Sequence, residues 1–302
     1  MDSLLSICDI KEDVSYIIDL ASKIKAGETE ERPLEGKTLA MIFQKSSTRT
    51  RVSFDVGMYQ LGGRAIFLSS NDLQMGRGEP ISDTARVLSR FVDGIMIRAI
   101  EHDDVIELAK YSDVPVISGL TNLEHPCQAL ADVLTIKEHF GTFEDKKICF
   151  VGDGNNVCNS LLLIAPLLGM DMSVACPEGY EPNEDILKIA NEYAKENNTE
   201  ITVSHDINVA LDDVDVVYTD VWVSMGDEAE KAQREKDFAP YQVNQELMDL
   251  ANDGAIFMHC LPAIRGQEVS AEVIDGPQSV IYDEAENRLH AQKAVLYYYL
   301  KD

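Results

Sequence analysis

What most limits the folding of this chain is an alternation, kept up along its length, of short β-rich apolar runs with stretches of helical periodicity. Candidate strands at Thr38 to Phe43, Ala65 to Leu68, Gly94 to Ile97 and Val114 to Ile117 are interleaved with candidate helices at Asp13 to Lys25, Thr48 to Leu61, Asp83 to Phe91 and Asp104 to Tyr111. Strand, helix, strand in that order is the βαβ unit, which implies a parallel sheet covered by helices on both faces. A long helical run, Gln128 to Phe140, and the turn-rich Gly141-Thr142-Phe143-Glu144-Asp145 separate this series from a second one. The second series has strands at Lys147 to Val151, Met172 to Ala175, Ile201 to Val203, Val214 to Tyr218, Ala255 to Met258 and Val280 to Tyr282. The pattern predicts an α/β protein of two open parallel-sheet domains joined by a helix, residues 1–135 and 136–302. The final helical pattern, Glu284 to Leu300, crosses back onto the first domain. A length of 302 residues agrees with two domains at roughly 150 residues each.

Charge narrows the function classes. With 26 basic and 53 acidic side chains the formal net charge is −27, which repels a phosphate backbone, so a nucleic-acid partner is not expected. Anionic membranes are disfavoured on the same ground. The longest apolar stretch, Leu161 to Met170, is interrupted by Pro166 and is shorter than the ~20 residues of a bilayer span. The N-terminal residues show neither the positive region nor the cleavage site of a signal peptide, so a cytoplasmic location is expected. The six cysteines are scattered, without the close pairs of a zinc site or a disulfide scaffold. The acidic excess is spread along the chain, a pattern resembling proteins of high-salt cytoplasms; an ordinary acidic mesophilic enzyme is the alternative.

Against that background Lys45-Ser46-Ser47-Thr48-Arg49-Thr50-Arg51 reverses the local charge, between a strand and a helix. Hydroxyls and free N–H groups at a helix N-terminus make a ready anion site, to which Arg49 adds a bidentate grip on phosphate oxygens. A plain N-cap followed by a solvated face is the competing reading of the same residues. Gly152 and Gly154 follow a strand in Gly152-Asp153-Gly154-Asn155-Asn156, but the third glycine of a dinucleotide fingerprint would fall at Val157, so a nicotinamide-binding reading fails.

Ser47-Thr48-Arg49-Thr50-Arg51, then Arg98 at a strand end, then His125-Pro126-Cys127-Gln128, resembles the carbamoyl-phosphate half of the aspartate/ornithine carbamoyltransferase family. Asp220-Val221-Trp222-Val223-Ser224-Met225-Gly226 and His259-Cys260-Leu261-Pro262 are similar to the ornithine-type motifs of the second half, where aspartate-type members usually carry His-Pro-Leu-Pro. The resemblance runs from about residue 38 to the end of the sequence. It implies transfer of the carbamoyl group of carbamoyl phosphate to the δ-amine of L-ornithine, reversibly giving L-citrulline and phosphate.

The same resemblance assigns carbamoyl phosphate to Ser47, Thr48, Arg49, Thr50, Arg98, His125, Gln128, Cys260, Leu261 and Arg288. Arg98 and His125 would act on the carbonyl oxygen, and Cys260 would position, or help deprotonate, the attacking amine. Asn156, Asp220, Ser224 and the Met225 backbone would hold the ornithine head group. Gln74, in the glycine-bearing loop Asp72 to Glu79, would reach a neighbouring subunit's site, because the family unit is a homotrimer. No metal or organic cofactor is implied. Related transferases acting on putrescine, N-acetylornithine or aspartate, and a non-catalytic binding protein on the same fold, are the rival readings.

Overall fold

The computed structural model describes residues 2–70, 73–223 and 228–301. The chain divides into two compact units, one running to Leu134 and resuming at Glu286, the other Thr135–Ala285.

The first unit is built on β1 (Thr38–Phe43), β2 (Arg64–Ser69), β3 (Gly94–Arg98) and β4 (Val116–Leu120), with helices α1 (Val14–Ala26), α2 (Thr48–Gln60), α3 (Ile81–Leu88) and α4 (His102–Tyr111). All pairings are parallel, in the order β2-β1-β3-β4. The strands β1, β3 and β4 are buried along their whole length, which is why they read as nearly unbroken apolar runs; β2 lies at the edge and is largely exposed. A long helix, α5 (Pro126–Phe140), follows β4 and runs across the unit boundary.

The second unit holds β5 (Lys147–Val151), β6 (Asp171–Ala175), β7 (Ile201–Ser204), β8 (Val216–Thr219) and β9 (Ile256–Met258), all parallel, in the order β7-β6-β5-β8-β9. Its helices are α6 (Asn156–Leu167), α7 (Glu184–Asn197), α8 (Ile207–Ala210), α9 (Lys231–Phe238), α10 (Gln245–Met248) and α11 (Ala271–Ile274). Helix α6 is apolar nearly all round and correspondingly buried from Val157 to Pro166. The closing helix α12 (Ile281–Leu300) begins in the second unit and from Glu286 onward belongs to the first.

Several element expectations shift. Val280 to Tyr282 is not a strand: only Ser279 makes an isolated bridge, to Phe257, and α12 starts at Ile281. A short β-branched run cannot be told from the first turn of a buried helix by composition alone. Helix α3 starts at Ile81 and stops at Leu88, short of Phe91, while β4 begins two residues after Val114 and reaches Leu120. Such end shifts are the usual uncertainty of element boundaries.

In each sheet the order of crossovers reverses once. From β1 the chain goes first to β2 on one side and then to β3 on the other; from β5 it goes to β6 and later to β8. At such a reversal the two connections leave the carboxyl ends of adjacent strands in opposite directions, opening a crevice where ligands of α/β sheets collect. Gln44 and Arg98 sit at the first reversal, Gly152 and Asp220 at the second. No helix among the described residues is long and apolar enough to cross a membrane.

Candidate active site

In the first unit the loop after β1 passes into α2 through Ser47. Its backbone is extended, and its Oγ accepts from the Thr50 N–H at 3.3 Å, so the N-cap reading of this serine holds. Gln44 fixes the level of that loop: its N–H donates to the Arg98 carbonyl at 3.0 Å, its side-chain amide donates to Asp104 at 2.7 Å, and its Oε1 accepts from the Ile100 N–H at 2.7 Å. The ends of β1 and β3 are thereby tied together, with Phe43 and Arg98 in register.

Arg98 occupies an irregularity. Ile97 pairs with Ser118 but Arg98 pairs with Leu120, so β4 carries one extra residue, Gly119, at this point. Bulges of this kind bend the strand and re-aim a side chain, and they gather next to active sites. A Cβ on Gly119 would stand 2.7 Å from the Met96 sulfur, so the bulge needs the small residue.

Around Arg98 the environment is buried and cationic. Arg98, Arg288, Thr50, His125 and Gln128 are all withdrawn from solvent, and the Arg49 Nε is buried with no hydrogen-bond partner. The Arg288 Nη2 donates to the Thr50 hydroxyl oxygen at 2.7 Å, which leaves the threonine its own O–H to donate. His125, just ahead of α5, is held well below the usual histidine range by burial first and then by the Arg288, Arg98 and Arg49 charges. It is therefore neutral at physiological pH. Three residues on, Gln128 donates through Nε2 to Asp132 at 2.8 Å; a carboxylate accepts only, so the glutamine's Oε1 is turned away from it. The first-unit residues singled out in the sequence are thus gathered at α2, β3, α5 and α12, except Gln74, which is exposed on the short 3-10 turn Gln74–Arg77. Thr48 is exposed at the start of α2.

In the second unit the loop after β5 is shaped by its glycines for reasons unrelated to a dinucleotide. Gly152 has φ of 138°, open only to glycine, and a Cβ on Gly154 would come 2.3 Å from the backbone nitrogen of Pro182. Asn155 then caps α6, its Oδ1 accepting from the Val157 and Cys158 N–H groups at 3.0 and 3.1 Å, and its amide donates to Asp220 at 2.8 Å. Asn156 is the first helical residue beside it. Asp220, at the end of β8 and only 9% exposed, also accepts from the Cys260 thiol at 3.2 Å. The motifs in the sequence do not single out Asn155; its one signal is an asparagine directly before a buried apolar run, the signature of an N-cap. Ser224 and Met225 lie outside the described residues.

Behind Cys260 stands His259. The Leu261 N–H donates to its Nδ1 at 2.9 Å, so that nitrogen carries no proton, and Nε2 donates to the buried Glu268 at 3.1 Å. Glu284 accepts from the His259 N–H at 2.9 Å and from the Tyr218 hydroxyl at 3.1 Å. Leu261 itself has φ of 58°, a left-handed conformation that a branched side chain seldom adopts. The Cys260–Leu261 turn is thus held in an uncommon backbone shape by two buried glutamates and a histidine. One ligand atom each from Asp220, His259 and Cys260 lies within 4.8 Å of the others. Both ring nitrogens of His259 are engaged, however, so the triplet offers a metal only a carboxylate and a thiol without breaking this network. The six cysteines are free thiols; burial pushes Cys127 and Cys149 up to about 12.

Known proteins align with this chain over both units. Residues 2–138 match the family model of the aspartate/ornithine carbamoyltransferase carbamoyl-P binding domain, and residues 144–299 that of the Asp/Orn binding domain. The ornithine carbamoyltransferase of Methanobrevibacter smithii is 80% identical over 301 residues, covering 100% of both chains, and that of Methanothermobacter thermautotrophicus is 62% identical, again over 100% of each. Among solved structures the Pyrococcus furiosus ornithine carbamoyltransferase superposes with a TM-score of 0.95 at 54% identity, over 99% of this chain and 96% of that one. With both halves matched in order and at such identity, the chain belongs to the aspartate/ornithine carbamoyltransferase family.

Proposed function

We propose that this chain transfers the carbamoyl group of carbamoyl phosphate to the δ-amine of L-ornithine, giving L-citrulline and phosphate in a reversible step of arginine metabolism. The first unit holds carbamoyl phosphate and the second holds ornithine. The observation that carries this reading is the cationic group formed by the buried Arg98 and Arg288 with the half-buried Arg49 around a neutral His125, in a chain of net charge −27. Burying several guanidinium groups is costly unless an anion compensates them, and carbamoyl phosphate brings two negative charges.

Chemistry then assigns the roles. Ser47, Thr48 and Arg49 take phosphate oxygens at the start of α2, where the helix dipole also favours an anion. Arg98, the Thr50 hydroxyl and the neutral His125 N–H donate to the carbonyl oxygen, which becomes an alkoxide as the amine attacks. Donors placed in advance around a developing oxyanion usually lower such a barrier more than any other single effect. The Gln128 Oε1 accepts from the carbamoyl NH2 group and sets which way the carbonyl points. Arg288 completes the phosphate contact while steering Thr50.

On the second substrate, Asp220 takes the α-ammonium, with Asn156, Ser224 and the Met225 backbone on the head group. The δ-amine resembles a lysine amine, with an intrinsic pKa near ~10.4, so the neutral nucleophile is scarce at pH 7. Cys260 and the Leu261 backbone position that amine next to the carbamoyl carbon and favour its deprotonated form. The tetrahedral intermediate collapses by breaking the bond from carbon to phosphate oxygen, and the departing phosphate takes the amine proton. No metal or organic cofactor enters this scheme.

The working unit in this proposal is a homotrimer, or a multiple of it, in the cytoplasm, without nucleic-acid or membrane partners. Support for self-association comes from α2 and β2: Val52, Val56 and Tyr59, spaced on one helix face, and Ile66 and Phe67 of the edge strand are all exposed, Tyr59 by 79%. An exposed apolar face beside an unpaired sheet edge invites cover by a second copy. The net charge of −27 further fits a high-salt cytoplasm.

A substrate panel tests the reaction. Ornithine should yield citrulline, while putrescine, N-acetylornithine and aspartate should fall about a hundredfold or more behind in kcat/KM, because putrescine and N-acetylornithine bring no α-ammonium to Asp220 and aspartate has no side-chain amine to attack with. Putrescine or aspartate carbamoylated as fast as ornithine contradicts the head-group assignment.

Complementation tests the shared site. Arg98→Ala should lower kcat/KM by roughly tenfold to a hundredfold, the scale of one charge-assisted hydrogen bond, and Gln74→Ala should lose activity by removing a contact to the neighbouring subunit's substrate. Mixing the two variants with subunit exchange should restore part of the activity. No recovery despite demonstrated exchange counts against Gln74 acting across a boundary.

Salt tests the surface. The screening length shrinks from about 10 Å at 0.1 M to about 3 Å at 1 M, so the unfolding midpoint should rise with KCl between those concentrations. A flat or falling midpoint removes the high-salt reading and leaves the transferase reading standing.

A further inference from the structure

Arg234 belongs to none of the motifs above, yet it is among the few buried cations of the second unit, 8% exposed on α9. Its Nη1 donates to the Asp153 carboxylate at 2.8 Å and to the Trp222 carbonyl at 3.2 Å, and its Nε donates to Glu230 at 3.0 Å. The face of the guanidinium lies 5.1 Å from the Tyr180 ring. These contacts join separate pieces of chain. Asp153 lies in the loop between β5 and α6, three residues before Asn156; Trp222 lies two residues beyond Asp220, after β8. Those are the two strand ends at the reversal point of the second sheet.

Helix α9 is itself pinned to the fold at its other end. The Tyr180 hydroxyl donates to Asp237 at 2.9 Å, Gln233 donates to the same carboxylate at 2.7 Å, and Phe238 is fully buried against Trp222 and Tyr180. The guanidinium is therefore presented from a fixed base. A buried ion pair of this kind contributes little net stability, because desolvation offsets most of the attraction, so stability alone is a weak reason for placing one here. What an arginine supplies and an apolar side chain cannot is a rigid fork of donors that sets a carboxylate and a carbonyl at a defined separation.

We propose that Arg234 is a positioning residue for the amino-acid substrate: it clamps the β5–α6 loop to the segment after β8, holding the Asn155–Asn156 pair and Asp220 at the spacing that receives the ornithine head group. The direct Asn155–Asp220 hydrogen bond works at the same junction from the substrate side. This inference rests on the ornithine reading of the second unit. Glu230 keeps the fork turned toward Asp153.

The test compares Arg234→Gln, Arg234→Lys, Asp153→Asn and the Arg234→Gln/Asp153→Asn double variant in the full-length enzyme. Arg234→Gln should raise the KM for ornithine about tenfold or more, the scale of a lost charge-assisted contact. The KM for carbamoyl phosphate and kcat at saturating ornithine should stay within about twofold. Arg234→Lys, which keeps the charge but not the fork, should recover part of the loss, and the double variant should be no worse than the poorer single one. A general loss of fold moves both KM values and kcat together; that result, an unmoved ornithine KM, or additive single effects, overturns the clamp. Hydrogen exchange in residues 152–155 and 220–223, read without substrate, separates this from the ornithine reading. Faster exchange confined to those two segments in Arg234→Gln supports the clamp whatever the substrate, unchanged exchange overturns it, and a wild-type enzyme that forms no citrulline overturns the ornithine reading instead.

Discussion

Everything at the candidate site depends on the reversal of strand order in each parallel sheet. Parallel strands must be joined by crossovers, and where successive crossovers leave in opposite directions two strand ends are left uncovered side by side. In the first unit that gap falls between β1 and β3, in the second between β5 and β8. The chemistry-bearing residues follow from this. Ser47 to Thr50 and Arg98 flank the first gap; Asn155, Asn156 and Asp220 flank the second. Devices that adjust the strand ends, namely the Gln44 hydrogen bonds, the extra residue at Gly119 and the Arg234 fork, act at those same gaps.

Electrostatics completes what topology begins. A chain with twice as many acidic as basic residues gathers the buried Arg98 and Arg288 with the half-buried Arg49, and burial first, then the charges of these three, keep His125 uncharged. A neutral imidazole donates a proton in a hydrogen bond without adding a fourth positive charge to the group, so the cluster stays matched to a dianion. Attraction in such a setting is strong because water is excluded. The second unit works with opposite sign: the Asp220 carboxylate, hydrogen-bonded by Asn155 and Cys260, faces an ammonium-bearing substrate in the proposed reaction.

The α/β class and most strands were legible in the sequence because fully buried parallel strands write themselves as apolar runs, Thr38–Phe43 being the clearest. The residues proposed for carbamoyl phosphate stand out in the sequence through contiguous motifs, with His125 and Gln128 at the opening of one helix and Ser47 to Thr50 at another. What stayed hidden depends on partners distant in sequence. Arg234 and Asp153 lie 81 residues apart, and Thr50 and Arg288 238 apart; no local pattern announces such pairs. The tie between His259 and Glu268 spans only nine residues, but it rests on a turn whose left-handed Leu261 no propensity predicts. Val280 to Tyr282 misleads for the opposite reason, since an apolar triplet carries no period of its own.

The central claim is that burial together with the surrounding arginine charges keeps His125 a neutral hydrogen-bond donor. The most direct measurement is a pH titration of the imidazole by 15N NMR on histidine-labelled enzyme, with the His125 signal assigned by a His125→Gln variant, in the absence and in the presence of inorganic phosphate. The account predicts that His125 remains unprotonated well below pH 6.5 in the free enzyme, and that saturating phosphate moves its titration upward as the dianion offsets the arginine charges. A His125 that titrates near its unperturbed value of about 6.5, or one that phosphate leaves unmoved, would contradict it.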